Sequence, residues 1–296
     1  RRGLAVIQHR QCQRRLLKVG QVARNQAVCG KGHDATLAQI GLLHLRPAGL
    51  QAQKHILVRI CAQCLGNGEN LLARVGQGIE FGVLRGIDLA IPRGQYVAIM
   101  GASGSGKSTL ARCVLRLIDP DSGGIFWGED NIASLPEAQL RPLRHRIQVV
   151  FQDPNRSLNP RMRVGESIME GARNFGLSAQ EAQARGQALL AQTGLPANAW
   201  DRYPSQFSGG QRQRIGIARA LALNPDLIVA DEPVSALDVS VQAQVLNLLM
   251  DLQEELKLAY IFISHDLSIV EHIADEVLVM YLGKVVEYAD KETLFT

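Results

Sequence analysis

The sequence predicts an α/β fold with a mostly parallel sheet, and three observations support this fold class. The apolar run Tyr96–Met100 is followed by a glycine-rich loop and then by a helical pattern. Two further apolar runs, Leu227–Ala230 and Tyr260–Ile263, each end in polar residues, as is typical of buried parallel strands. The stretch 154–222 between these strands is mostly helical in pattern, which predicts an inserted helical subdomain.

The composition is that of an ordinary globular chain. Of its 296 residues, 46% are hydrophobic and 20% are charged, so the chain is long enough to bury a large core. No run of about 18 apolar residues occurs, and no segment is therefore expected to span a bilayer. Any association with a membrane is expected to depend on a partner.

The formal net charge of +4 is unevenly distributed along the chain. Residues 1–78 contain 12 of the 32 Lys and Arg residues but only two acidic residues, Asp34 and Glu69. The rest of the chain has more acidic than basic residues. The overall positive charge therefore does not indicate a nucleic acid partner.

The first part of the chain differs from the rest. No aromatic residue precedes Phe81, and no sustained helical or strand period is visible before it. We expect residues 1–78 to be a basic extension that is disordered or mistranslated. Four of the five cysteines lie there, namely Cys12, Cys29, Cys61 and Cys64. A zinc site at Cys61 and Cys64 with His55 is an alternative, but no second cysteine pair has matching spacing.

The glycine-rich loop after Tyr96–Met100 has the pattern G-x-x-x-x-G-K-S between a strand and a helix. In this setting the backbone N–H groups and the helix N-terminus bind phosphate groups, the lysine contacts the β- and γ-phosphates, and the serine hydroxyl binds Mg²⁺. A glycine-rich surface turn is the alternative. The predicted phosphate-binding residues are Gly101, Ser103, Gly104, Ser105, Gly106, Lys107, Ser108 and Thr109.

Elements around this loop follow from local patterns. Alternation over Val83–Ile91 predicts a half-buried strand before the loop. After the loop, apolar residues recur at i, i+3, i+4 and i+7, which predicts one buried helix face. These residues are Leu110, Cys113, Val114 and Leu117.

Two S-x-x-E patterns predict helix starts by a capping box. The first begins at Ser134 and predicts a helix towards Arg144, and the second begins at Ser178 and predicts a helix to about Gln192. The run Ile147–Phe151 between them predicts a strand that ends at Gln152.

The sequence Ser208-Gly209-Gly210-Gln211 precedes another helical pattern. Free N–H groups and a hydroxyl at a helix start form a second anion-binding site. A simple helix cap with a flexible entry is the alternative. The presence of the G-x-x-x-x-G-K-S loop in the same chain favours the anion site.

The strand after Asp226 ends in two carboxylates, Asp231 and Glu232, and the strand Tyr260–Ile263 leads to His265. Ligands of open α/β sheets bind at the carboxyl ends of such strands. Asp231 is therefore expected to coordinate Mg²⁺, Glu232 to contact an attacking water and His265 to contact the γ-phosphate. A solvated acidic turn and an ordinary strand-end histidine are the alternatives.

Taken together, these motifs resemble the ATPase subunit of an ABC transporter, over about residues 83–290. The glycine-rich loop matches Walker A, Gln152 the Q-loop, Phe207–Gln211 the signature motif and Leu227–Glu232 Walker B. Ser235–Asp238 matches the D-loop, and His265 matches the switch histidine.

The resemblance implies a P-loop NTPase core, an N-terminal antiparallel β part and the helical subdomain within an ABC nucleotide-binding domain over residues 79–296. It implies catalytic roles in ATP hydrolysis for Glu232, His265, Gln152 and Lys107. It also implies that Mg²⁺ is bound by Ser108, Gln152 and Asp231. Two such domains pack head to tail in this family, so that Ser208–Gln211 of one domain contacts the ATP of the other.

Within the family, residues 151–160 and 234–243 resemble the dipeptide, oligopeptide and nickel importer branch. Residues 95–101 also resemble lipoprotein and macrolide exporter ATPases. The importer branch implies permease subunits, a second ATPase subunit and, indirectly, a solute-binding protein as partners, at the cytoplasmic face of the inner membrane. A soluble ABC ATPase remains an alternative, whereas Ser-Gly-Gly-Gln before a helix disfavours a P-loop kinase or GTPase.

Overall fold

The structure is a computed structural model, which describes residues 55–60 and 83–296. The expectations for Cys12, Cys29, Cys61 and Cys64 therefore lie outside the described residues. Within these ranges, the strands are β1 (His55–Ile60), β2 (Ile87–Pro92), β3 (Tyr96–Gly101), β4 (Gly124–Trp127), β5 (Asp130–Asn131), β6 (Ile147–Val150), β7 (Leu227–Asp231), β8 (Ala259–Ile263), β9 (Glu276–Tyr281) and β10 (Lys284–Asp290).

Helices connect most of these strands. The α-helices in the described ranges are α1 (Lys107–Val114), α2 (Glu137–Leu140), α3 (Pro154–Ser157), α4 (Val164–Asn174), α5 (Ala179–Gln192), α6 (Gly209–Leu221), α7 (Val239–Leu256), α8 (Leu267–Ile273) and α9 (Lys291–Phe295). None of them combines the length and the apolar character that crossing a membrane would require.

The larger sheet has six strands in the order β10-β9-β3-β8-β7-β6. Strands β9, β3, β8, β7 and β6 run parallel, and β10 adds an antiparallel edge. Helices α3 to α6 lie between β6 and β7 in sequence. This arrangement confirms the predicted fold class of a mostly parallel sheet with an inserted helical part. It also brings the carboxyl ends of β3, β7 and β8 to one edge of the sheet.

A second, antiparallel sheet has the order β2-β1-β4-β5. Its strand β1 pairs with β2 on one side and with β4 on the other, so that Val58 lies opposite Leu89 and Ile125. His55–Ile60 falls within the range 1–78 that the sequence assigned to an extension, and for these six residues the structure corrects that assignment. The run His55–Ile60 has no turn residue such as glycine, proline or asparagine next to it, so the strand signal in the sequence is incomplete. The remaining domain boundaries stay predictions.

The two faces of the parallel sheet pack against different parts of the chain. Ile228 and Ala230 of β7 pack in a cluster with the helical segment and α7, whereas Leu227 and Val229 pack with α1 and the antiparallel sheet. All four side chains are fully buried. This alternation is the period of two expected of a strand with both faces covered.

Two local predictions were wrong. Helix α1 ends at Val114, because Arg116 takes up a left-handed backbone conformation with φ of 51°, and Leu117 is 56% exposed. Ser134 does not begin a capping box, since it ends a short 3₁₀ helix, and Pro136 is the N-cap of α2. By contrast, the capping box at Ser178 is confirmed, with its hydroxyl accepting from the N3 backbone N–H.

Glycines allow the helical segment to pack closely around Trp200. A Cβ at Gly165 on α4 would lie 2.3 Å from Trp200 Cε2, and one at Gly186 on α5 would lie 2.8 Å from Trp200 Cη2. The Gly165 N–H also donates to the Trp200 carbonyl at 2.9 Å. Trp200 thus joins α4 to α5 at two positions that accept no side chain.

We expect Gly165→Ala to lower the free energy of unfolding by about 1–3 kcal/mol, because the added methyl group overpacks the indole ring. Gly216→Ala in α6 is the control, since a Cβ at that helical position would meet no atom within 4 Å. It should stabilise the chain by about 0.5–1 kcal/mol through helix propensity. Equilibrium denaturation of both variants measures these changes, and equal effects would contradict the packing around Trp200.

Candidate nucleotide-binding site

The loop between β3 and α1 has a backbone that requires glycine. Gly101 has a φ of 148°, and a Cβ there would lie 2.2 Å from the Met280 carbonyl oxygen. Gly106, the N-cap of α1, has a φ of 101°, which residues with a Cβ rarely adopt. The loop therefore bends back over the start of α1, with Ser103 and Gly104 exposed at its tip and Ser105 buried.

Lys107 lies beneath this loop. Its Nζ donates to the carbonyls of Gly101 at 2.9 Å and Ala102 at 3.0 Å, and the residue is buried. Burial lowers the pKa of Lys107, and the nearby carboxylates of Glu232 and Asp231 act in the opposite direction. The lysine is thus held at the first turn of α1 by contacts that a phosphate oxygen can replace, because ammonium groups bind phosphate as point charges.

Ser108 and Asp231 join the loop to the end of β7. Ser108 Oγ donates to Asp231 Oδ1 at 3.2 Å. Burial raises the pKa of Asp231, while the hydrogen bond from Ser108 lowers it and the adjacent Glu232 raises it further. A hydroxyl and a carboxylate side by side are the hard oxygen donors that Mg²⁺ prefers. These two residues therefore fit a Mg²⁺ ion.

Glu232 is the centre of the remaining contacts. Its Oε2 accepts from Gln152 Nε2 at 3.0 Å, and its Oε1 lies 3.1 Å from His265 Nδ1. Its backbone has a φ of 46°, and its N–H donates to the carbonyl of Ile263 at 3.1 Å. Two side chains from separate parts of the sequence, Gln152 and His265, thus converge on the carboxylate of Glu232.

Ser235 belongs to this cluster, although the sequence identified it only as part of the D-loop. Its Oγ accepts from Gln152 Nε2 at 3.2 Å and donates to the Glu232 carbonyl at 3.0 Å. The only signal in the sequence was a hydroxyl residue three positions after the acidic strand end. Its hydroxyl links the Q-loop side chain to the backbone of Glu232.

The signature motif forms the start of α6. Ser208 is the N-cap, with its Oγ accepting from the Gln211 N–H at 3.4 Å and its N–H donating to Gln211 Oε1 at 3.1 Å. Gly210 packs against Val241, because a Cβ there would lie 2.2 Å from Val241 Cγ1. Among the described residues, no hydrogen bond or ion pair joins Ser208–Gln211 to the phosphate loop. The structure brings the other predicted site residues together and leaves this motif apart.

Comparison with known proteins decides the family. Residues 84–235 match the sequence model described as ABC transporter, which is about half of the chain. The chain belongs to the ABC transporter family. With its phosphate loop, acidic strand end and signature motif, it is an ABC ATPase.

Curated relatives of this ABC ATPase cover most of the described residues. A putative peptide import ATP-binding protein of Brucella ovis is 52% identical over 214 residues, which cover 72% of this chain and 68% of the relative. The dipeptide transport ATP-binding protein DppF of Escherichia coli is 53% identical over 215 residues, covering 72% of this chain and 64% of DppF.

Solved structures of ABC proteins have the same fold. The cbiO1 subunit of the Clostridium perfringens ABC transporter complex cbiONQ has a TM-score of 0.70 and 31% identity, covering 82% of this chain and 91% of its own. The ATP-binding cassette MJ0796, solved as a dimer in a post-hydrolysis state with ADP and Pi, has a TM-score of 0.68 and 29% identity. That comparison covers 80% of this chain and 98% of MJ0796.

We expect Lys107→Ala to weaken ATP binding by about 10- to 100-fold, because it removes charge-assisted hydrogen bonds to phosphate. The control is Lys291→Ala, which removes a lysine at the start of α9. Titration with a fluorescent ATP analogue measures the dissociation constants. Equal affinity of the two variants would rule out Lys107 as a phosphate ligand.

Proposed function

We propose that this chain hydrolyses ATP to drive peptide import through a membrane permease. The observation that carries the ATPase mechanism is the convergence of Gln152 and His265 on Glu232, beside the Ser108–Asp231 pair. The peptide substrate is supported by the names of relatives that are more than half identical, and these names favour import over the exporter alternative.

In this proposal the β- and γ-phosphates of ATP bind the N–H groups of the loop Gly101–Ser108 and the ammonium group of Lys107. Ser108 and Asp231 would hold Mg²⁺, and Gln152 would add a ligand from the Q-loop. A Mg²⁺ ion held there would supply positive charge against the phosphates. Because Lys107 is buried and Asp231 is half-buried, their charges are less screened by water there than at an exposed surface.

Glu232 is the proposed general base. Its carboxylate orients the attacking water and accepts its proton, while His265 holds the water and the γ-phosphate in line. Both carboxylate oxygens of Glu232 are in contact with a side chain, Oε2 with Gln152 and Oε1 with His265. These two side chains therefore control which direction the carboxylate faces when ATP binds.

A second ATPase subunit completes the proposed site. Ser208 and Gln211 are exposed at the start of α6 and lie apart from the phosphate loop of their own chain. In a head-to-tail dimer these residues would contact the γ-phosphate bound to the other subunit, so that donors surround the developing charge from both sides. The solved dimer of MJ0796 supports this arrangement by analogy.

We further propose that the chain binds permease subunits at the cytoplasmic face of the inner membrane, and a solute-binding protein only indirectly. Gln152 lies between β6 and the helical segment α3 to α6, so it can report the presence of the γ-phosphate to a permease bound there. ATP binding then favours one dimer geometry over another, and this difference in affinity drives the transport cycle.

We expect Glu232→Gln to lower the ATPase rate by about 10²- to 10⁴-fold, because the amide cannot accept a proton from water. ATP binding should be retained, and the dimer should stay closed around the unhydrolysed nucleotide. Steady-state phosphate release and size-exclusion chromatography with Mg-ATP measure both effects. Glu271→Gln on the exposed face of α8 is the control, and a normal rate for Glu232→Gln would reject its role as the base.

Ser208 caps helix α6 and is also proposed to contact the γ-phosphate. A substitution can separate these two roles. Aspartate is as good an N-cap as serine, so Ser208→Asp should keep the thermal unfolding midpoint of the chain. Its carboxylate would repel the γ-phosphate, and we expect the ATPase rate to fall by at least about 10-fold.

Ser178→Asp is the matched control, since Ser178 caps α5 with the same capping-box geometry. It should leave the ATPase rate unchanged, and its unfolding midpoint should fall slightly, because the new carboxylate replaces a hydroxyl that donates to Glu181 Oε2 at 2.6 Å. If Ser208→Asp were as active as Ser178→Asp, the signature serine would be only a cap.

A further inference from the structure

A buried glutamine connects the signature helix to the Q-loop. Gln213 lies on α6, two residues after Gln211 of the signature motif, and is 2% exposed. Its Nε2 donates to the backbone carbonyl of Phe151 at 3.3 Å. Phe151 follows the last residue of β6 and directly precedes Gln152.

Helix geometry explains why these two glutamines differ. Residues two apart on an α-helix project about 200° apart, so Gln211 faces solvent while Gln213 faces the sheet. A buried amide is costly unless it is hydrogen-bonded. The Phe151 carbonyl at the end of β6 supplies that bond. One face of α6 is thus free for the nucleotide, and the opposite face is bonded to the strand end.

The same helix also holds the other end of the Q-loop segment. The guanidinium of Arg219, six residues further along α6, donates to the Ser157 carbonyl at the end of α3. Burial lowers the pKa of Arg219, and the nearby carboxylate of Glu170 acts in the opposite direction. Residues 151–157 are therefore bonded to α6 at their first and last positions.

The side chain of Gln152 connects the Q-loop backbone, which is bonded to α6 through Phe151, with Glu232 and Ser235. It donates to Glu232 at 3.0 Å and to Ser235 at 3.2 Å. A shift of the Phe151 backbone would move Gln152 with it, because the two residues share a peptide bond. The contact between Gln213 and Phe151 therefore sets the position from which Gln152 reaches Glu232.

We propose that Gln213 is a positioning residue for ATP hydrolysis, which fixes the Q-loop backbone to the signature helix and so directs Gln152 towards Glu232. This inference rests on the proposed roles of Gln152 and Glu232. Within residues 55–60 and 83–296, no hydrogen bond joins Gln213 to the phosphate loop. Gln213 connects the motif that closes over one ATP with the Q-loop that serves the other ATP of the dimer.

The test is Gln213→Met, which keeps the length and volume of the side chain and removes its donor. Loss of one hydrogen bond predicts a decrease in kcat of about 3- to 10-fold. The KM for ATP should stay within about twofold, because the phosphate-binding groups are untouched. The matched control is Gln253→Met on α7, where a glutamine also donates to a backbone carbonyl, that of Gly94. This control should leave kcat unchanged.

A double-variant cycle shows whether Gln213 acts through Gln152. If it does, adding Gln213→Met to Gln152→Ala lowers kcat little beyond the effect of Gln152→Ala alone, whereas independent effects multiply. Multiplicative effects of the two substitutions, or an unchanged kcat in Gln213→Met, would overturn this inference. The proposed mechanism would still stand in that case, provided that Glu232→Gln is inactive. A normal rate in Glu232→Gln or Gln152→Ala would reject the proposed mechanism and the inference with it.

Hydrogen exchange gives a readout that does not depend on activity. Amides in residues 151–157 should exchange faster in Gln213→Met than in the parent chain, since one attachment of the segment is lost. The exchange of α7 should be unchanged, and in Gln253→Met residues 151–157 should exchange at the parent rate. Equal protection of residues 151–157 in Gln213→Met and the parent chain would also overturn the inference.

Discussion

The convergence of β3, β7 and β8 at one edge of the parallel sheet is the constraint on which the site depends. Each strand delivers one part of the chemistry at its carboxyl end: the phosphate loop after β3, Asp231 and Glu232 after β7, and His265 after β8. The strands are held in register by backbone pairing and by side chains that are fully buried on both faces. The separation of Ser108 from Asp231 is therefore fixed by the sheet.

Much of this site could be predicted from the sequence, because strand ends and glycine patterns are local signals. Gly101 and Asp231 lie 130 residues apart, yet each could be placed at the same edge since both follow an apolar run. Local reasoning failed where a tertiary contact decided the outcome. Helix α1 ends at Val114, before Leu117, and Arg116 beyond it has a left-handed backbone and donates to the Ile132 carbonyl. No periodicity in the sequence indicates this bond.

The contacts of Ser235 and Gln213 show a second limit of prediction from the sequence. Ser235 lies within a recognised motif and Gln213 just after one, and the residue types alone do not reveal which carbonyl or amide they meet. Gln213 contacts a backbone oxygen 62 residues away, and backbone atoms have no signature in a sequence. The sequence therefore identified the groups that are proposed to touch the nucleotide better than those that hold these groups in place.

At Glu232 the backbone conformation lowers the stability of the fold, whereas the proposed activity depends on the side chain. A left-handed conformation costs a residue with a Cβ roughly 1 kcal/mol or more, and glycine adopts it without strain. The proposed role of Glu232 as general base nevertheless requires a carboxylate at this position. Selection for thermal resistance alone would therefore enrich glycine at position 232 and yield robust but inactive proteins, so any engineering of this ATPase for heat tolerance needs a turnover screen alongside the melting assay.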